Sequence, residues 1–311
     1  YGEDNNYFKY LIDRYTGSTT NQSIITGISK MIYGKGIDAI DSRRKPEQYA
    51  QMIGLFMPDD LRRVIFDRKL LGMAAMQVTY KSGFIETATH FPMETLRPEK
   101  ADKDGNIKNW YYHPNWGEKK PSDELTKIPS FGTTKNKSTE IIVLKPYIPG
   151  HFYFSPCDYQ AGLPYAVLEE EIGDYLINDV KNGFSGTKVI NFNNGTPDPE
   201  KMDEIKNDVI AKLTGATGQR VIVAFNDNAE SKTTVEDLPL DNAPDHYTYL
   251  STECEAKLIV AHRITSPLLI GVKSGNAGLG NNADEIKTAS LLQDSVVIRT
   301  YQEEIIEGLL E

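Results

Sequence analysis

Residues able to do acid–base, nucleophilic or metal chemistry are spread thinly along the 311-residue sequence, and their spacing gathers none of them. The five histidines, His90, His113, His151, His246 and His262, are scattered. Cys157 and Cys254 are the two cysteines, and neither has the nearby Cys/His partners of a zinc site. They read as unpaired thiols of a reducing compartment. Asp59-Asp60 reads as helix-start charge favoured by the dipole, and Glu169-Glu-Glu171 as a solvated face. The glycines of 271–280 lack the Gly-Lys-Ser/Thr of a phosphate loop, and neither Gly-x-Ser-x-Gly nor His-Glu-x-x-His occurs. No catalytic residue, metal site or cofactor is expected, so function must come from shape.

The segment with the most distinctive polar groups is 265–283, where Lys273 is the one charge and Ser274, Asn276, Asn281 and Asn282 are neighbours. A stretch so rich in Gly and Asn loses much backbone entropy on ordering. Between two strong helical patterns, such a loop has a task away from the core. Acids gather on either side of it. Residues 163–183 hold five acids against one lysine, net −4, with Glu171 and Asp174 on one helical face. Residues 284–311 hold seven acids against two bases, net −5, beginning with Asp284 and Glu285. The whole chain carries −10, which argues against a generic nucleic-acid binder. No apolar run approaches the ~18–20 residues of a membrane span.

The elements that would hold these groups follow from periodicity and punctuation. Helices are expected over residues 4–15, from a Ser18 cap to Tyr33, from Pro46, and from Pro58 with Leu61, Val64, Ile65 and Leu70 or Leu71 inward. Strands are expected from Met76 to Tyr80 and from Phe84 to His90 around a Lys81-Ser-Gly83 turn, from Ile107 to Tyr112, and from Ile141 to Leu144. The polar stretch 118–137 reads as loop. A helix of about twenty residues opens at Leu163-Pro164, with Tyr165, Leu168, Ile172, Tyr175, Leu176 and Val180 on one face. A β-α-β-β unit follows: Lys188 to Phe192, Pro199 to Leu213, Arg220 to Phe225 and Thr233 to Leu238. Another helix runs from Asn242-Ala-Pro244 to about Ile264, and a long last helix from Ala283 shows Leu291, Ile298, Tyr301, Ile305 and Leu309. If the helices flanking the β-α-β-β unit are antiparallel, they make a stalk with that unit at its tip. The short strands carrying Val189, Phe192, Val221 and Phe225 are apolar on both faces, and their edges are expected to pair with a neighbouring subunit.

This order of elements resembles the portal (head-tail connector) proteins of tailed bacteriophages over nearly the whole chain. The resemblance is carried by Ile32-Tyr-Gly-Lys-Gly36, by Leu70-Leu-Gly-Met-Ala-Ala-Met-Gln-Val and by Phe91-Pro-Met-Glu-Thr-Leu-Arg-Pro98. It continues in Phe154-Ser-Pro-Cys-Asp-Tyr-Gln-Ala-Gly-Leu-Pro164, in Lys181-Asn-Gly-Phe184 and in His262-Arg-Ile-Thr-Ser-Pro-Leu-Leu-Ile-Gly271. The Gly/Asn stretch and Asp284-Glu285 close it.

The resemblance implies an α+β portal fold with a mixed wing at 1–160, stem helices at 161–186 and 241–265, and a clip at 187–240. It further implies a tunnel loop at 266–283 and a wing helix at 284–311, with the family's crown helices absent from this sequence. It implies a ring of twelve subunits at one capsid vertex of the virion, assembled in the bacterial cytoplasm, through which double-stranded DNA is packaged and ejected. The large terminase and then the head-tail adaptor would dock on the clip, with major capsid or scaffold protein as a further partner, no membrane and no catalysis. In such a conduit the acids Glu171, Asp174, Asp284 and Glu285 would face the channel and keep phosphate from sticking. Lys273, Ser274, Asn276, Asn281 and Asn282 would make transient phosphate contacts that allow sliding. A soluble hydrolase with a carboxylate/His cleft and a domesticated prophage scaffold are the competing readings.

Overall fold

The structure, a computed structural model, describes residues 1–134, 138–181, 187–192, 197–213, 221–225, 233–238, 243–271 and 283–310. The chain forms two compact units: a first unit from Tyr1–Val167 with Glu255–Glu311, and a second from Leu168–Cys254.

The first unit opens with α1 (Tyr7–Gly17), α2 (Thr19–Tyr33), α3 (Pro46–Leu55) and α4 (Pro58–Leu71). The expected start signals are the ones used. The Ser18 hydroxyl accepts the Asn21 amide at the head of α2, and prolines occupy the first helical positions of α3 and α4. Gly72, with φ 81°, ends α4 in the left-handed region. A Cβ there would lie 2.5 Å from the Pro156 carbonyl oxygen, so both the backbone angle and the close approach call for glycine.

β1 (Ala74–Lys81) and β2 (Phe84–Phe91) form the expected hairpin, with Ser82 and Gly83 both at positive φ, as a tight primed turn needs. β3 (Leu96–Pro98), β4 (Asn109–Tyr112), β5 (Thr126–Pro129) and β6 (Glu140–Leu144) complete two antiparallel sheets, ordered β2-β1-β6 and β3-β4-β5. β5 corrects the expectation of loop throughout 118–137. Its polar Thr-Lys-Ile-Pro makes a poor strand by composition, but it needs only one partner, β4, as an edge strand.

Residues from the chain's end close this unit. Leu258, Ile264, Val297, Ile298, Tyr301 and Ile305 pack with Ile24, Ile28, Ile32, Leu61 and Ile65 in one buried cluster. The last helix is not continuous. α8 (Ala283–Gln293) and α9 (Arg299–Leu310) are joined by a π turn, Asp294–Ile298, in which Arg299 N donates to Asp294 O. That extra residue per turn turns Val297 and Ile298 inward, while Leu291, expected on the inner face, is 65% exposed. Between Pro98 and Asn109, Asp102 accepts the amides of Asp104 and Asn106 in a turn.

The second unit holds most of α5 (Leu163–Lys181), then β7 (Thr187–Phe192), α6 (Pro199–Leu213), β8 (Val221–Phe225), β9 (Thr234–Leu238) and the start of α7 (Ala243–Ala261). Its sheet is ordered β8-β7-β9, with β7 parallel to β8 and antiparallel to β9.

Candidate conduit and assembly surfaces

Within the second unit α5 and α7 run antiparallel. Glu169 lies close enough to Cys254 for its charge to act on the thiol, and six residues further along α5 Tyr175 stacks on Tyr247, ring centroids 4.7 Å apart. The pairing reads backward along α7 as it reads forward along α5. α7 covers a narrow stripe of α5. Ile172 is buried, yet Leu176 and Val180, expected on the same inner face, are exposed, as are Ile177 and, on α7, Tyr249. Glu171 and Asp174 are also exposed on α5, and Asp284 and Glu285 are exposed in the first turn of α8, where the helix dipole favours them.

The sheet of the second unit corrects one expectation. β7 has a strand on each side, so the edge of the strand bearing Val189 and Phe192 is already taken. Among the described residues, outward pairing is open to β8, with Val221 and Phe225, and to β9. The rings of Phe192 and Phe225 stack on each other at 5.4 Å across the β7/β8 pair. Ile222, on β8, is exposed.

Lys273, Ser274, Asn276, Asn281 and Asn282 lie outside the described residues. The segment that leads to them packs on α2 and bonds to α8. Pro267–Ile270 forms a short 3-10 turn, and Ile270 packs against Gly27 of α2, where a Cβ would meet the Ile270 Cγ2 at 3.1 Å. The Thr265 amide donates to Gln293 Oε1 at 2.8 Å, and the Thr265 hydroxyl donates to Ala289 O at 2.8 Å. These bonds tie the segment to α8 just before the π turn.

A buried polar junction beneath this segment was not singled out in the sequence. Lys69 is fully buried and donates to both Asp158 oxygens, at 2.8 and 3.1 Å. Its Nζ stands 5.3 Å from the Tyr159 ring centroid and 5.6 Å from that of Tyr301. Burial lowers the Lys69 pKa, against the pull of the Asp158 carboxylate. Arg68 beside it pairs with Glu304 of α9. Tyr159 also stacks on His262, centroids 4.3 Å apart, and its hydroxyl donates to Leu70 O. His262 Nε2 meets Asn21 Oδ1 at 2.8 Å. The one signal for this junction was the position of Lys69, four residues after Ile65 on the apolar stripe of α4. Cys157, next to Asp158, is buried, and burial pushes its thiol up to about 12, away from nucleophilic use.

Two histidines meet carboxylates: His90 Nε2 stands 2.7 Å from Asp67 and His113 Nε2 3.4 Å from Asp123. Asp67 also faces the Met93 amide, so that pair joins α4 to the end of β2. Among the described residues no group of three or more His, Cys, Asp or Glu side chains is placed to hold a metal ion, and no helix is long and apolar enough to cross a membrane.

No family model matches the chain, and no curated protein matches it. Solved structures do. The neck of the empty gene transfer agent (GTA) particle, computed with C6 symmetry, matches with a TM-score of 0.65 at 11% identity, over 99% of this chain and 80% of that one. The neck of the native GTA particle, computed with C12 symmetry, matches with a TM-score of 0.61 at 11% identity, over 96% of this chain and 78% of that one. An HK97 family phage portal protein from Corynebacterium diphtheriae matches with a TM-score of 0.48 at 10% identity, over 89% and 82%. The expected α+β architecture is present, and the likeness to the neck structures is one of fold.

Proposed function

We propose that this chain is a portal subunit. Copies of it form a ring at one vertex of a virion capsid, and double-stranded DNA is packaged and ejected through the ring. The observation that carries this reading is the fold match to the neck of a GTA particle along 99% of the chain. Those necks were computed with C6 and C12 symmetry, which supports a closed ring here, and twelve copies is the number adopted. The role is structural, with no catalytic step.

In this reading residues 1–160 and 284–311 are wing, 161–186 and 241–265 stem, 187–240 clip and 266–283 tunnel loop. The exposed acids Glu171, Asp174, Asp284 and Glu285 face the bore, where their charge discourages phosphate from adhering. Lys273 and its Ser and Asn neighbours make brief phosphate contacts as DNA passes. The clip receives the large terminase and later the head-tail adaptor, and capsid or scaffold protein surrounds the wing during assembly in the host cytoplasm. The outer edges of β8 and β9 supply the pairing between clips, which the expectation had given to β7 and β8.

The test is negative-stain electron microscopy of the purified chain with light scattering for mass. Rings with a hole of DNA width are the expected result. Particles of single-chain mass at every concentration, or closed dimers without a hole, would overturn the reading.

A further inference from the structure

His262 stands where α7 hands over to the segment 264–271, and its imidazole is held from several sides. Tyr159 stacks on the ring, and Nε2 lies 2.8 Å from Asn21 Oδ1. The Asn21 amide nitrogen donates to Arg14 O, which fixes its oxygen toward His262 and makes Nε2 the donor. Nδ1 is then the bare acceptor, sealed from solvent with no hydrogen-bond partner. A proton on Nδ1 would have nothing to bond.

The charges around the ring make that proton worse placed. From α4 comes the Lys69 ammonium, which already stands over Tyr159. The Asp158 carboxylate, next to Tyr159 in the chain, is committed to Lys69, and Glu304 of α9 is committed to Arg68. Tyr159, Cys157 and Tyr301 contribute groups whose ionisation burial suppresses. Asn21, from α2, is neutral. Arg263, the next residue, is exposed at φ 58° and adds a positive charge. Burial, and then the Lys69 charge, accordingly keep His262 neutral well below the usual imidazole range.

We propose that His262 is an acid-operated latch: its protonation undocks the joint between α7 and residues 264–271 from α2. The closed joint refuses the proton and the open joint accepts it, so acid draws the equilibrium toward the open form. What is released is the base of the segment leading to 272–282. Ile264 and Ile270 leave α2, and the Thr265 bonds to α8 lose their support. With an ordinary imidazole pKa of about 6.5 in the open form, opening increases about tenfold at pH 5.5 relative to neutral pH.

The test is hydrogen exchange of the whole chain between pH 7.5 and 5.5, expressed as protection relative to the intrinsic rate. Amides of 258–271 are expected to lose about tenfold in protection over this range, while the β1/β2 hairpin amides keep theirs. In His262→Gln, which keeps a donor toward Asn21 but cannot titrate, protection at 258–271 should be flat with pH. Equal protection at both pH values in the native chain would overturn the latch, as would the same acid loss in His262→Gln. Should that variant fail to fold, the His262 imidazole signal in the native protein decides by NMR: a ring that titrates near pH 6.5 without loss of protection overturns the proposal.

Discussion

The two units solve the same problem in opposite ways. The first buries large apolar side chains and, among them, a fully enclosed lysine, two arginines, a histidine and a glutamate, each with a partner. The second buries only Ile172, Ile190 and Cys254 among its described residues, and leaves Leu176, Ile177, Val180, Ile222 and Tyr249 exposed. Small domains are marginal because their surface is large for their core. Enclosed ion pairs are at best break-even for stability, but they are demanding about geometry. The first unit is therefore built to hold one arrangement by itself. The second is built to gain part of its burial elsewhere, and in the proposed ring that comes from a neighbouring copy.

The largest expected effect tests the self-sufficiency of the first unit. Lys69→Met strands the Asp158 carboxylate beside two rings and should lower stability by about 3–5 kcal/mol. Urea unfolding followed by tryptophan fluorescence reports it, because Trp110 and Trp116 both belong to the first unit. A loss below about 1 kcal/mol would mean that the junction is not a determinant of the fold. Next comes Ile172→Ala, expected to cost about 2–4 kcal/mol within the second unit. Faster hydrogen exchange at β7 and β8 amides, with the tryptophan-reported transition unmoved, is the predicted signature. A shift of both transitions together would erase the distinction between the units. The smallest change in chain stability should come from Leu176→Ser with Val180→Ser, within about 0.5 kcal/mol for exposed positions. The same double variant should nonetheless shift mass by light scattering from ring to single chain. Unimpaired rings would show that these side chains face solvent in the assembly.

What the sequence made readable was local. Ser18, Pro46, Pro58 and Ser82-Gly83 each act within a few residues, so helix starts and the hairpin turn could be placed from spacing alone. The two helices flanking the β-α-β-β order were also legible, since periodicity and length decide them, but that they run antiparallel stood only as a condition until Tyr175 and Tyr247 were seen to stack. β5 was hidden because an edge strand beside one partner needs no hydrophobic pattern. The central place of β7 was hidden because strand order depends on crossovers that composition does not encode. The junction of Lys69, Asp158, Tyr159 and His262 was hidden for a related reason: Asn21 and His262 are 241 residues apart in sequence. Only the lysine on an apolar stripe hinted at it. As for the candidate site, the exposed acids could be picked out by charge count, whereas which apolar faces remain uncovered required the packing.

The division of the chain also sets an order in time. The first unit leaves off at Val167 and resumes at Glu255, with the whole second unit between. Its core needs Leu258, Val297 and Ile305 against α2 and α4, and two of its long ties, Arg68 to Glu304 and Gln302 to the Ile32 carbonyl, span 236 and 270 residues. On a ribosome moving at about 5–20 residues per second, α2 and α4 wait on the order of ten seconds, their apolar stripes bare, before their covering helices emerge. The second unit is by then complete. A nascent chain arrested before α9 would thus present the apolar stripes of α2 and α4 uncovered, which makes synthesis speed a variable in yield beside final stability.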